Sequence, residues 1–113
     1  VADGPAARRP PAIADRDHAT TAADRALVDA VRRELRAAAD PAKAPGMQAY
    51  MKSAMPYHGV RAPAQRRIFR AVFADHPVGS FAAWRATVLA LWREASHREE
   101  RYAAVALASD RRY

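Results

Sequence analysis

Apolar residues recur at helical spacing between closely set prolines, and this most limits what the chain can become. Leu27, Val31 and Leu35 fall four apart, with Val28 and Ala38 widening the stripe. That is one face of a helix with 3.6 residues per turn. Arg25, Asp29, Arg32, Arg33 and Arg36 take the other face. Thr21 followed by Asp24 resembles a capping box and predicts a first helix over 21–39. Asp40-Pro41 ends it, because the residue before proline avoids the α region.

The same pattern repeats along the chain. Pro45 opens a second predicted helix that runs to Met55 and stops at Pro56. Met47, Tyr50, Met51 and Ala54 line one of its faces, and the Met47, Met51, Met55 spacing reads as core. A loop over 57–61 leads to a third helix over 63–74, with Ile68, Phe69, Val72 and Phe73 inward. Ser80 is the expected N-cap of a fourth helix over 81–95. That helix carries Trp84 and Trp92 eight apart, which also read as core. Ser96 to Glu99 forms a second capping box, opening a fifth helix with Tyr102, Val105, Ala106 and Leu107. The chain is rich in alanine, and no alternating strand pattern of useful length appears. The expected fold is all-α, built from antiparallel helix pairs. Stacked pairs would make a HEAT-like repeat superhelix.

Residues 1–19 fall outside this pattern. Pro5, Pro10 and Pro11 remove backbone donors, and Ile13 is the only large aliphatic after Val1. Such a segment buries too little to offset its ordering entropy, so a disordered tail precedes a helical domain over 20–113.

Charge narrows the partner. The 113 residues carry 19 Lys and Arg against 12 Asp and Glu, a net charge of +7. The charges of residues 1–20 cancel, so the excess belongs to the body. No carboxylate occurs between Asp40 and Asp75, while Lys43, Lys52, Arg61, Arg66, Arg67 and Arg70 do. Interleaved with Tyr50, Tyr57 and His58, these cations suit a surface that tracks phosphates. An arginine-rich chain would also present such a face simply to solvent.

Other chemistries find little support. There is no cysteine, hence no disulfide, thiolate nucleophile or cysteine-ligated zinc. This fits a cytoplasmic protein. His18, His58, His76 and His97 are scattered, read as exposed or loop histidines, and predict no metal site. Ser53, Ser80, Ser96 and Ser109 lack a nucleophile-elbow context, and the four glycines lie far apart. Glu99 and Glu100, in a first helical turn, most simply offset the helix dipole. No apolar run is long enough to cross a membrane.

The order of several short motifs is informative. Asp40-Pro41-Ala42-Lys43-Ala44 is followed by Met47-Gln48-Ala49-Tyr50-Met51-Lys52, then Gly59-Val60-Arg61-Ala62-Pro63 and Arg66-Arg67. Leu91-Trp92 and His97-Arg98-Glu99-Glu100-Arg101-Tyr102-Ala103-Ala104 come later. Over about residues 25–113 this ordered set resembles the DNA alkylation repair family, the AlkD-like DNA glycosylases.

The resemblance implies a HEAT-like superhelix with a concave, positively charged face for double-stranded DNA. It implies hydrolysis of the N-glycosidic bond of cationic alkylated purines, such as 3-alkyladenine and 7-alkylguanine, without cofactor. In that family the base is not flipped into a pocket; aromatic rings, an Asp, two Trp and a supporting Arg surround the lesion. Tyr50 matches a family tyrosine near the lesion, and Lys52 and Arg66 match motif positions near DNA. The family's catalytic Asp and Trp pair come from later repeats, beyond Tyr113. Trp84 and Trp92 belong to an earlier helix. The chain is thus expected to be the N-terminal half of the fold, with no catalytic residue of its own. It would contribute DNA-binding residues Tyr50, Lys52, Arg61, Arg66 and Arg70, and be inactive alone. An open solenoid end would favour self-association. A non-catalytic helical module binding DNA or an acidic protein stands as the alternative.

Overall fold

The computed structural model describes residues 22–113; the predicted tail over 1–19 lies outside them. Five helices follow one another: α1 (Arg25–Ala37), α2 (Ala44–Tyr50), α3 (Ala62–Asp75), α4 (Phe81–Arg93) and α5 (Arg98–Ala108). No strand occurs among the described residues.

The four-residue stripe makes α1 the core helix. Leu27, Val28, Ala30, Val31 and Leu35 are each at most 1% exposed. Burying each large aliphatic side chain stabilises by about 1.5–3 kcal/mol. α1 packs on α3, α4 and α5, and α4 lies most extensively against α5. Phe69, Val72 and Phe73 from α3, Leu91 from α4, and Ala103, Ala104 and Leu107 from α5 complete the core.

The start of α1 differs from expectation. Asp24 itself is the N-cap, accepting from the Leu27 N–H at 3.0 Å. Asp24 also donates its backbone N–H to buried Thr87 Oγ1 at 2.9 Å. Thr87 in turn donates to the Ala83 carbonyl, tying α1 to α4. Thr21 lies outside the described residues.

α2 ends five residues earlier than predicted. Ser53 N–H reaches back to the Gln48 carbonyl at 3.0 Å and Lys52 N–H to that of Ala49 at 3.1 Å. This is a Schellman closure, with Lys52 (φ 51°) where glycine usually sits. Gln48 Nε2 bonds the Ser53 carbonyl, and Ser53 Oγ bonds Met55, so side chains compete away the next turn. No residue of α2 is buried, and Met51 is half exposed. The methionines therefore do not form a core stripe.

Two other expectations change. Ser80 caps α4 as predicted, accepting from Ala83 N–H at 3.1 Å. Trp84 is half buried, with its indole N–H on the Leu107 carbonyl. Trp92, by contrast, is 42% exposed, its ring covered by Arg101 at 4.7 Å. At α5 the N-cap position is His97, which makes no side-chain cap bond. The Ser96–Glu99 box does not form, because Glu99 turns inward to another partner.

Candidate nucleic-acid interface

α2 and the start of α3 frame a cleft of about 490 Å³. It is lined by Ala42, Lys43, Gly46, Met47, Tyr50, Met51 and Arg61, without a carboxylate. Tyr50 is 86% exposed, so its ring stands free on the last turn of α2. Early closure of that helix leaves Lys52 exposed immediately beyond it. The structure thus brings Tyr50 and Arg61 to one cleft, although eleven positions separate them.

Arg66 and Arg70 do not line the cleft. They lie one turn apart on α3, both exposed. Among the described residues, Lys52, Arg61, Arg66, Arg67 and Arg70 have neither an ion pair nor a side-chain hydrogen bond. Arg25, Arg32 and Arg112, by contrast, pair with Glu94, Glu100 and Asp110. Asp40, the nearest acid in sequence, pairs with Lys43 at 3.5 Å. Apart from Lys43, the cations of the acid-free stretch are therefore unpaired among the described residues.

Tyr57 and His58 are not part of this surface. They are only 4% and 8% exposed. Tyr57 Oη and Tyr102 Oη lie 2.6 Å apart. Burial and this hydrogen bond push the Tyr57 phenol up to about 12.

Beneath the cleft sits a carboxylate clamp. Glu99 is fully buried and accepts the backbone N–H groups of His58, Gly59 and Val60 at 2.8, 2.9 and 3.0 Å. Hydrogen bonds to a charged acceptor contribute about 1.5–3 kcal/mol each. Gly59 is held at φ +93°, and its open side meets Asp40, whose carbonyl carbon a Cβ would approach to 2.9 Å. Asp40 also donates its N–H to the His58 carbonyl and accepts from Lys43 and Ala44 at the foot of α2. The chain from 57 to 61 is thereby fixed between α5 and the base of α2. Arg61 emerges at its end.

Glu100 is buried beside it. It accepts from Ser96 N–H at 3.0 Å and Ser96 Oγ at 3.1 Å, lies 2.9 Å from His58 Nε2, and faces Arg32 at 3.4 Å. Burial pushes its carboxyl up, but these partners outweigh burial and leave it below its ordinary value. His58 and His97 stack with ring centroids 3.8 Å apart. Burial, then the neighbouring His58, lowers the His97 pKa. The histidines are therefore not all scattered or loop-exposed, and the acidic pair does far more than offset a dipole. The usable signal was Gly59 alone between large residues, where a strained loop meets another backbone.

The sequence profile described as DNA alkylation repair enzyme matches residues 31–113. The chain belongs to the DNA alkylation repair enzyme family. No curated protein matches it. Membership supports a role in DNA repair, and no described helix is long and apolar enough to cross a membrane. In this DNA alkylation repair protein the Gly59-Val60-Arg61 and Arg98-Glu99-Glu100 motifs meet physically. Their joint role is architectural, and what they support is the cleft carrying Tyr50.

Proposed function

We propose that this chain supplies part of the DNA-binding surface of a DNA glycosylase. Its substrates would be positively charged alkylated purines, 3-alkyladenine and 7-alkylguanine, in double-stranded DNA. The observation that carries this reading is Tyr50, 86% exposed beside Arg61 in a cleft without a carboxylate. Exposing a whole tyrosine ring to water sacrifices apolar burial, and a contacting base would recover it. A cationic base gains further from the ring face. Arg61, Arg66, Arg70 and Lys52 would neutralise backbone phosphates on either side.

Trp84 at the start of α4 bonds Leu107 at the end of α5, and Trp92 at the end of α4 bonds Arg101 near the start of α5, so the two helices pack antiparallel. This supports a HEAT-like arrangement, in which each helix pair presents one face to the ligand. Hydrolysis of the glycosidic bond calls for a group that stabilises developing oxocarbenium charge. The described cleft offers cations and an aromatic ring but no such carboxylate. The 113-residue chain is accordingly expected to bind DNA without excising bases. That same lack favours the second reading, a non-catalytic helical module for DNA or an acidic protein.

Fluorescence anisotropy on duplex DNA containing 7-methylguanine tests the proposal. Binding should weaken with salt at a log–log slope of about −0.9 per phosphate contacted. Binding that is undetectable at low salt, or indifferent to salt, refutes it and leaves the acidic-protein reading. Release of alkylated base by the purified chain refutes the inactivity.

A further inference from the structure

His58, His97 and Glu100 come from two segments about forty residues apart, yet offer ligand atoms all within 4.8 Å of one another. His58 Nε2 lies 2.9 Å and His97 Nδ1 3.6 Å from the same Glu100 Oε2. In a tetrahedral zinc site with bonds of roughly 2.0–2.1 Å, neighbouring donor atoms stand about 3.3 Å apart. The two spacings bracket that value. We propose that His58, His97 and Glu100 bind one divalent first-row transition ion of the zinc type, with water as fourth ligand.

Charge and access agree with this assignment. Glu99 and Glu100 are both buried, and Arg32 is the guanidinium that pairs with Glu100. The Glu99 carboxylate has only neutral backbone donors. A cation is therefore welcome in the cluster. Both imidazoles also line a cavity of about 350 Å³, walled by Pro41, Pro45, Gln48 and Pro56. That cavity is the route for the ion and the room for its water. Two imidazoles and one carboxylate select zinc, nickel or copper over magnesium or calcium. Arg32 and the Ser96 backbone N–H, both on Glu100 Oε1, would orient the carboxylate from behind.

Binding requires a small rearrangement. His97 Nδ1 now sits 2.9 Å from Ser96 Oγ, and its ring lies within 16° of parallel to His58. Parallel rings hold their lone pairs in parallel planes, which do not converge on one ion. His97 must leave Ser96 and turn out of the stack, which its partly exposed ring allows. Coordination would also expel protons, so acid weakens it.

The test titrates zinc into the full 113-residue chain by calorimetry, with cobalt(II) absorption as a second probe. The expected result is one ion per chain, tetrahedral cobalt bands and a melting temperature that rises with zinc. His97→Ala should lower affinity about tenfold or more, whereas His76→Ala should leave it unchanged. Apo helicity by circular dichroism checks that His97→Ala still folds. A measurement on the unmodified chain does not depend on that variant. Cobalt should shift and broaden the imidazole proton resonances of His58 and His97 while sparing His76. Absence of saturable binding, equal affinity in His97→Ala, or broadening confined to other histidines overturns the proposal.

Discussion

Replacing Gly59 by alanine isolates the junction beneath the cleft. Gly59 has φ +93°, a region that costs an L-residue about 1–2 kcal/mol. Its added Cβ would fall far inside van der Waals contact distance of the Asp40 carbonyl oxygen, 2.9 Å from the carbonyl carbon and 3.2 Å from Ala44 N. All three are backbone atoms, so no side-chain rotation relieves the overlap. Asp40 and the loop must separate, which sacrifices the Asp40 N–H to His58 carbonyl bond of 3.0 Å. The separation also loosens the three N–H donors on Glu99, at about 0.5–1.5 kcal/mol for each neutral bond lost and more for each charged one. Together these give a destabilisation of about 3–5 kcal/mol, at the diagnostic end for single substitutions. Urea unfolding followed by circular dichroism reads it as a midpoint lowered by roughly 2–3 M, at a slope near 1.5 kcal/mol/M. Gly46→Ala is the control. No atom lies within 4 Å of its added Cβ, and it sits inside α2. There alanine should be neutral or stabilise by up to about 1 kcal/mol. A Gly59→Ala variant within about 1 kcal/mol of the parent refutes the reasoning.

Further outcomes are accessible to the same preparations. Glu99→Gln puts an amide donor toward three backbone donors and should cost about 3 kcal/mol or more by urea unfolding, with the helix content of the folded state unchanged. Lys52→Gly should raise stability by up to about 1 kcal/mol, because glycine suits φ 51°. If Lys52 also contacts phosphate, the salt slope of DNA binding becomes shallower by about one unit. Tyr50→Ala should leave the melting temperature unchanged, since the ring is 86% exposed, while weakening binding to alkylated duplex in anisotropy. Stability should fall on acidification in two stages. The lowered His97 pKa contributes stability above its unfolded value of 6.5 that is lost as pH falls below it. The lowered Glu100 pKa contributes stability above 4.5 that is lost as pH falls through its folded value. A urea midpoint constant from about pH 7 to 5 contradicts the His97 assignment, and one constant from about pH 5 to 2 contradicts that of Glu100.

Local patterns in the sequence predicted local structure well. The spacing of Leu27, Val31 and Leu35 marks the buried face of α1, and Ser80 marks the start of α4. The end of α2 was illegible because two side chains, Gln48 and Ser53, and a left-handed lysine close it, and proline at 56 suggested a later stop. Spacing places Trp92 on a core face, but periodicity reports a face and not whether another helix covers it. The free cations of the cleft region were legible from the missing carboxylates. The partnership of Gly59 with Glu99 was not, since they lie forty positions apart and each has a simpler local explanation. The His58–His97 stack was hidden for the same reason.

The early end of α2 has a mechanical consequence. Seven residues form less than two full turns, include no fully buried residue, and are fastened at Asp40 on one side and Ser53 on the other. Opening such a unit exposes little new apolar area, so its free energy of local unfolding lies far below that of α1. Amide protons of 47–50 should exchange with solvent long before those of Val31 or Leu35. The molecule therefore offers a compliant fingertip on an unyielding knuckle. On the proposed DNA-binding reading, Tyr50 would follow an irregular duplex while Arg61, anchored through the clamped loop, would keep its place.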